Sequence, residues 1–133
     1  MLKERAGHSA ELSHPANREH MEQERCELVR EVCQTLETCG LEKFTYSLIT
    51  SLCIVLNDVI HELERLPETR FKELIEVIDG LAEARNELRL SRFLFEVEEI
   101  NPVYRLILRN RAAMRGKLIL QRMLFVWPID PAP

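Results

Sequence analysis

The chain has 133 residues, 46% of them hydrophobic, and a formal net charge of -4. That length is the usual size of one domain and allows roughly two thirds of the unfolded surface to be buried, so one core is expected. Four glycines and six prolines are too few for a turn-rich β-protein, and the prolines at 15, 128, 131 and 133 leave the interior almost free of helix breakers.

Charge is unevenly placed. Residues 1–100 hold 21 acids against 12 bases, whereas residues 101–133 hold six bases against Asp130 alone. The C-terminal part is therefore a distinct electrostatic object. The first 20 residues contain no apolar run of the kind a secretory signal has, and the four cysteines are read as free thiols of a reducing compartment. The expected location is intracellular, cytoplasm or nucleus.

Residues 1–16 mix charge, His, Ser and Pro without a period and are expected to form a mobile N-terminal segment. His8, His14 and His20 are six apart, which fits no metal-ligand spacing. Asn17 is a suitable cap for a first helix running to about Cys39, and Gly40 suits its C-terminal end. Cys26, Leu28, Val29, Val32, Cys33, Leu36 and Cys39 share one face of that helix. Cysteines spaced seven and six apart lack the close pairing of a structural zinc site, so they are read as small buried side chains.

A very short link at Gly40 and Leu41 forces the next helix back antiparallel. In the stretch from Phe44 to Leu66, apolar residues cover about half of the helical circumference, which is too wide for one neighbour and predicts a central core helix. Its uncharged run, Phe44 to Asn57, falls short of the ~20 residues a bilayer needs, so no membrane span is expected. Asp58 and His61 form a single D-x-x-H pair, whereas helical di-iron sites need two such pairs and further carboxylates.

Pro67 ends this helix and opens a third, with Phe71, Leu74, Ile75, Ile78, Leu81 and Ala82 on its inner face. Gly80 costs about 1 kcal/mol relative to Ala within a helix, which suggests a closely approaching neighbour. Beyond Ala84 the arginines at 85, 89 and 92 occupy the sector that held apolar residues, so a break is expected near Leu90. Ser91 could then cap a short extra element, helical or strand, near residues 91–100. Asn101-Pro102 is a clear helix start: a cap residue followed by proline at the first helical position. This last helix carries Arg105, Arg109, Arg111, Arg115, Lys117 and Arg122 without an acid, and it ends before Pro128.

The expected fold is all-α: a helical bundle of four main helices near 17–39, 41–66, 68–89 and 102–126. One helical domain, 17–127, precedes a C-terminal tail, 128–133. The first three helices each show an inner and an outer face, so they are expected to form a self-consistent core without the chain after Ser91.

Catalytic chemistry has no visible carrier. The glycines stand isolated at 7, 40, 80 and 116, no Ser or Cys nucleophile has an identifiable base, and Glu98 and Glu99 point about 100° apart if helical. No enzyme, cofactor, metal or small-molecule substrate is implied. The sequence instead suggests a non-enzymatic helical protein-interaction module, an adaptor or complex subunit. Its expected contact residues are Phe93, Phe95, Leu120, Met123, Leu124, Phe125 and Trp127, and its partner is another protein or a second copy in a homodimer. The alternative is nucleic-acid binding through Arg105, Arg109, Arg111, Arg115, Lys117 and Arg122, although these cations do not form one stripe.

Overall fold

A computed structural model describes residues 15–39 and 45–129 of the chain. The sequence up to residue 14, the Gly40–Leu41 link together with Phe44, and the tail beyond residue 129 lie outside the described residues. The elements are α1 (Pro15–Thr38), α2 (Tyr46–Glu64), α3 (Glu68–Glu73), α4 (Ile75–Phe93) and α5 (Pro102–Val126). There is no strand among the described residues, and the fold is an all-α helical bundle as its periodicity implies.

Local chemistry fixes most of the helix ends. Thr45 caps α2, its hydroxyl accepting the Leu48 N–H at 3.0 Å. Pro67 follows directly on the close of that helix. At α5, the Asn101 side-chain oxygen accepts from the Val103 N–H at 2.9 Å, and Pro102 occupies the first helical position. The first helix begins at Pro15, so Asn17 lies within it rather than capping it.

Four helices form a ring in which α1 packs on α2, α2 on α4, α4 on α5, and α5 again on α1. Cross-helix contacts give the directions. Gly80 faces Met123, Gly116 faces Ala84 and Leu88, and the Ser91 hydroxyl donates to the Arg109 carbonyl at 3.0 Å, so α4 and α5 run antiparallel. The Arg85 guanidinium donates to the Asn57 side-chain oxygen at 2.8 Å and Arg92 lies over the Tyr46 ring, so α2 and α4 are antiparallel too.

The expected central helix is present: Ile49, Leu52, Cys53, Leu56, Val59, Ile60 and Leu63 of α2 are all buried. By length and composition alone α2 could cross a membrane, but in this fold its apolar face is occupied by α1 and α4. The α1 face formed by Cys26, Val29, Val32, Cys33 and Leu36 is buried as well.

Three expectations are corrected. The helix expected at 68–89 is divided at Leu74, a fully buried residue whose N–H bonds to both Arg70 and Phe71 carbonyls, and its second part continues to Phe93. The arginines that suggested a break near Leu90 remain helical because Arg85 finds Asn57 and Arg92 finds Tyr46 on α2. Ser91 is accordingly a buried α4 residue rather than a cap, and turns fill Leu94–Ile100. Finally, the first three helices do not close a core alone. α5 inserts Ala112, Ala113, Gly116, Leu120 and Met123, and its contact with α4 is the most extensive in the fold.

The close approach suggested by Gly80 is real, since a Cβ there would run into the Met123 thioether. Leu56 and Leu120 are both fully buried, on α2 and α5. Leu56→Ala and Leu120→Ala are each expected to lower stability by about 2–5 kcal/mol in chemical denaturation, equal ranks that a three-helix core would not produce.

Candidate interaction surface

The sequence-derived contact set divides in two. Leu120, Met123 and Trp127 are buried in the chain's own core, and Leu124 packs against that core while half-buried. Phe95 is half-buried beneath Arg109, whose guanidinium carbon lies 3.7 Å from the ring centroid, and it meets Tyr46 edge-on at 6.1 Å. Phe93 and Phe125 are exposed, at 57% and 89%. Of the seven, only these two stand free on the surface.

The six cations divide similarly. Arg105 donates to the Val97 carbonyl at 2.6 Å, and Arg115 pairs with Glu87 across the helix seam at 3.0 Å. Burial pushes Arg109 below its ordinary value, with Arg105 adding to the effect, although a guanidinium keeps its charge there. Lys117 is half-buried on the α1 side, where its carbonyl lies 4.0 Å from the Cys33 thiol. Arg111 and Arg122 are exposed and have no ion-pair or hydrogen-bond partner among the described residues.

A different surface emerges along the outside of the α4–α5 seam. A groove there is lined by Ile75, Glu76, Asp79, Gly80, Glu83, Ile119, Arg122 and Met123. Helical spacing continues each wall: Glu76, Asp79, Glu83 and Glu87 follow one another at three or four residues on α4, and Arg111, Arg115, Leu118, Arg122 and Phe125 do so on α5. Glu76, Asp79 and Glu83 are exposed and without partners among the described residues. Leu118 is 59% exposed and Ile75 45%. This face therefore has an acidic wall, a basic wall and a discontinuous apolar component. The outward acids of α4 thus stand beside the α5 arginines, a register that spacing along a single helix does not give.

A feature missed by the sequence reading is a buried charge. Glu22 is 1% exposed, and Arg70 reaches it from α3 with Nε–O contacts of 2.9 and 3.1 Å and an Nη–O contact of 2.6 Å. The same guanidinium donates to the Pro128 carbonyl at 2.7 Å and to Glu73 at 2.6 Å, ties that hold Arg70 far above its ordinary value, Glu22 most strongly. Glu22 precedes Cys26, Val29 and Cys33 in the same four- and three-residue spacing, so an acid in phase with a buried face was the available signal.

Among the described residues no group of three or more His, Cys, Asp or Glu side chains could hold a metal ion. Asp58 and His61 are exposed on α2, and His61 lies 3.7 Å from Glu64. All four cysteines are free thiols, and burial pushes Cys26, Cys33 and Cys53 up.

The fold and its surface define an all-α helical bundle with a charge-segregated face. Compared with protein families, characterised proteins and solved structures, the chain matches none of them.

Removing one partner of the Glu22–Arg70 pair leaves the other charge uncompensated. Arg70→Ala is expected to cost about 3–5 kcal/mol in chemical denaturation, and Glu22→Leu with Arg70→Leu together to cost less than Arg70→Ala alone. Thiol alkylation at pH 8 is expected to modify Cys39 first, because the buried thiols are raised and so hold less thiolate. Peptide mass mapping should show Cys26, Cys33 and Cys53 reacting only when denaturant opens the bundle.

Proposed function

We propose that this chain is a non-enzymatic helical protein-interaction module, an adaptor or complex subunit, and that the outer α4–α5 face is its contact surface. The observation that carries this reading is Phe125. A phenylalanine 89% exposed, on the same ridge as Leu118 and Arg122, takes no part in the packing among the described residues, where Arg122 has no partner either. Exposed aromatic and arginine side chains are the residue types enriched at protein contacts. The bundle supplies the rigidity such a surface needs, because Gly116, Leu120 and Met123 anchor the opposite side of the same helix.

The nucleic-acid reading is weaker on this geometry. A phosphate backbone requires a run of available cations, whereas Arg105, Arg109 and Arg115 are engaged within the chain and Glu76, Asp79 and Glu83 border Arg122.

A photo-crosslinking amino acid placed at Phe125, and separately at the exposed Asp58 on α2, tests the surface in the cell of origin. The expected result is a protein adduct from position 125 and none from position 58. Equal labelling at both positions, or none at 125, would refute the assigned face.

A further inference from the structure

We infer that the partner of the α4–α5 face is a second copy of this chain, related by a two-fold axis running parallel to the bundle. The inference rests on the reading of that face as a contact surface and adds who occupies it.

The argument starts from register. Glu87 meets Arg115, Gly80 meets Met123, and Ser91 meets the Arg109 carbonyl, so α4 and α5 positions lie level when their numbers add to roughly 200. Arg122 is thus level with Asp79 and Gly80, and Arg111 with Leu90 and Ser91. Among the described residues of this face, the open acids Glu76, Asp79 and Glu83 are on α4 and the open arginines Arg111 and Arg122 are on α5.

A two-fold axis along the bundle keeps levels unchanged and exchanges the two walls. It lays α4 of one copy on α5 of the other, bringing Asp79 and Glu83 to Arg122 of the second copy, and the symmetry repeats this contact. Glu87 and Arg115, already paired within one chain, fall level with their counterparts and extend the charge complementarity across the centre. Phe125 and Leu118 flank Arg122 on the same ridge and supply apolar area beside it. A two-fold axis across the helices does worse. It stacks α5 on α5 and α4 on α4, so that the arginine-bearing and the acid-bearing ridges each meet their own kind. The face therefore favours itself in one orientation, which no arbitrary partner would require.

Charge reversal with complementation tests the assignment on the full chain. Light scattering coupled to size exclusion should give the wild type twice the chain mass. Arg122→Glu alone, and Asp79→Arg with Glu83→Arg alone, should each weaken self-association at least about tenfold, because like charges then face each other. Mixing the two variants should restore pairing, as one heterodimer visible by native mass spectrometry, since each wall again meets its opposite. All three positions are exposed, so circular dichroism should show unchanged helicity, and the milder Arg122→Gln should give an intermediate loss. A monomeric wild type, or a mixture as weak as either variant alone, overturns the second-copy assignment. If the wild type is monomeric while position 125 still crosslinks to a protein of another mass, the contact surface stands and only the identity of its occupant fails.

Discussion

The rest of the bundle depends on how closely α4 and α5 approach. Small residues make the seam: Gly80 and Ala84 on one helix, Ala112, Ala113 and Gly116 on the other, all buried. A Cβ at Gly116 would lie 3.4 Å from the Ala84 carbonyl, ordinary van der Waals contact, whereas one at Gly80 would displace Met123. Backbones brought together in this way gain dispersion contacts along their length without large side chains between them. The consequence is geometric. With Ala112, Ala113 and Gly116 forming much of its inner face beside Leu120 and Met123, α5 still has Leu118 and Phe125 pointing outward.

A second constraint acts at the end of the bundle where α1 begins. Arg70 joins Glu22 of α1 to the Pro128 carbonyl beyond α5. Arg70 reaches both from α3, the short helix that gives way to α4 at the buried Leu74. A buried ion pair of this kind contributes little net stability compared with an apolar replacement, because both charges lose water. What it supplies is a defined geometry: the carboxylate is satisfied only when α1, α3 and the segment after α5 occupy these relative positions.

Those two constraints explain what the sequence disclosed and what it did not. The α2 helix was legible because its apolar residues are large and periodic, and the start of α5 because Asn101 and Pro102 are strong local signals. The inner face of α5 was legible only in part: Leu120, Met123 and Trp127 were read as intermolecular contacts, and Ala112, Ala113 and Gly116 carry little hydrophobic signal. The division at Leu74 has no Gly or Pro to announce it. Arg70, four residues before it, is tied instead to Glu22, forty-eight positions away in the chain. The outward acids of α4 were legible from helical spacing, and the register with α5 is what sets them beside the arginines.

That wall carries a local cost which its neighbours on α4 do not offset. Glu76, Asp79, Glu83 and Glu87 repeat at three- and four-residue spacing, and like charges so placed destabilise a helix by about 0.2–0.5 kcal/mol per pair. Arg111 and Arg115 repeat the problem on α5. Among the described residues a single cross-seam pair, Glu87–Arg115, relieves both ridges, and as a half-exposed contact it is worth little. Interspersing the two signs along each helix would remove the repulsion without disturbing the core, because every residue concerned faces outward. Segregating them instead produces a surface with a polarity across its width, and exposed charges of this type govern orientation more than affinity. On the proposed reading of this face, affinity would come from burying the apolar side chains beside them, which makes Phe125 and Leu118 the complement to the charge pattern.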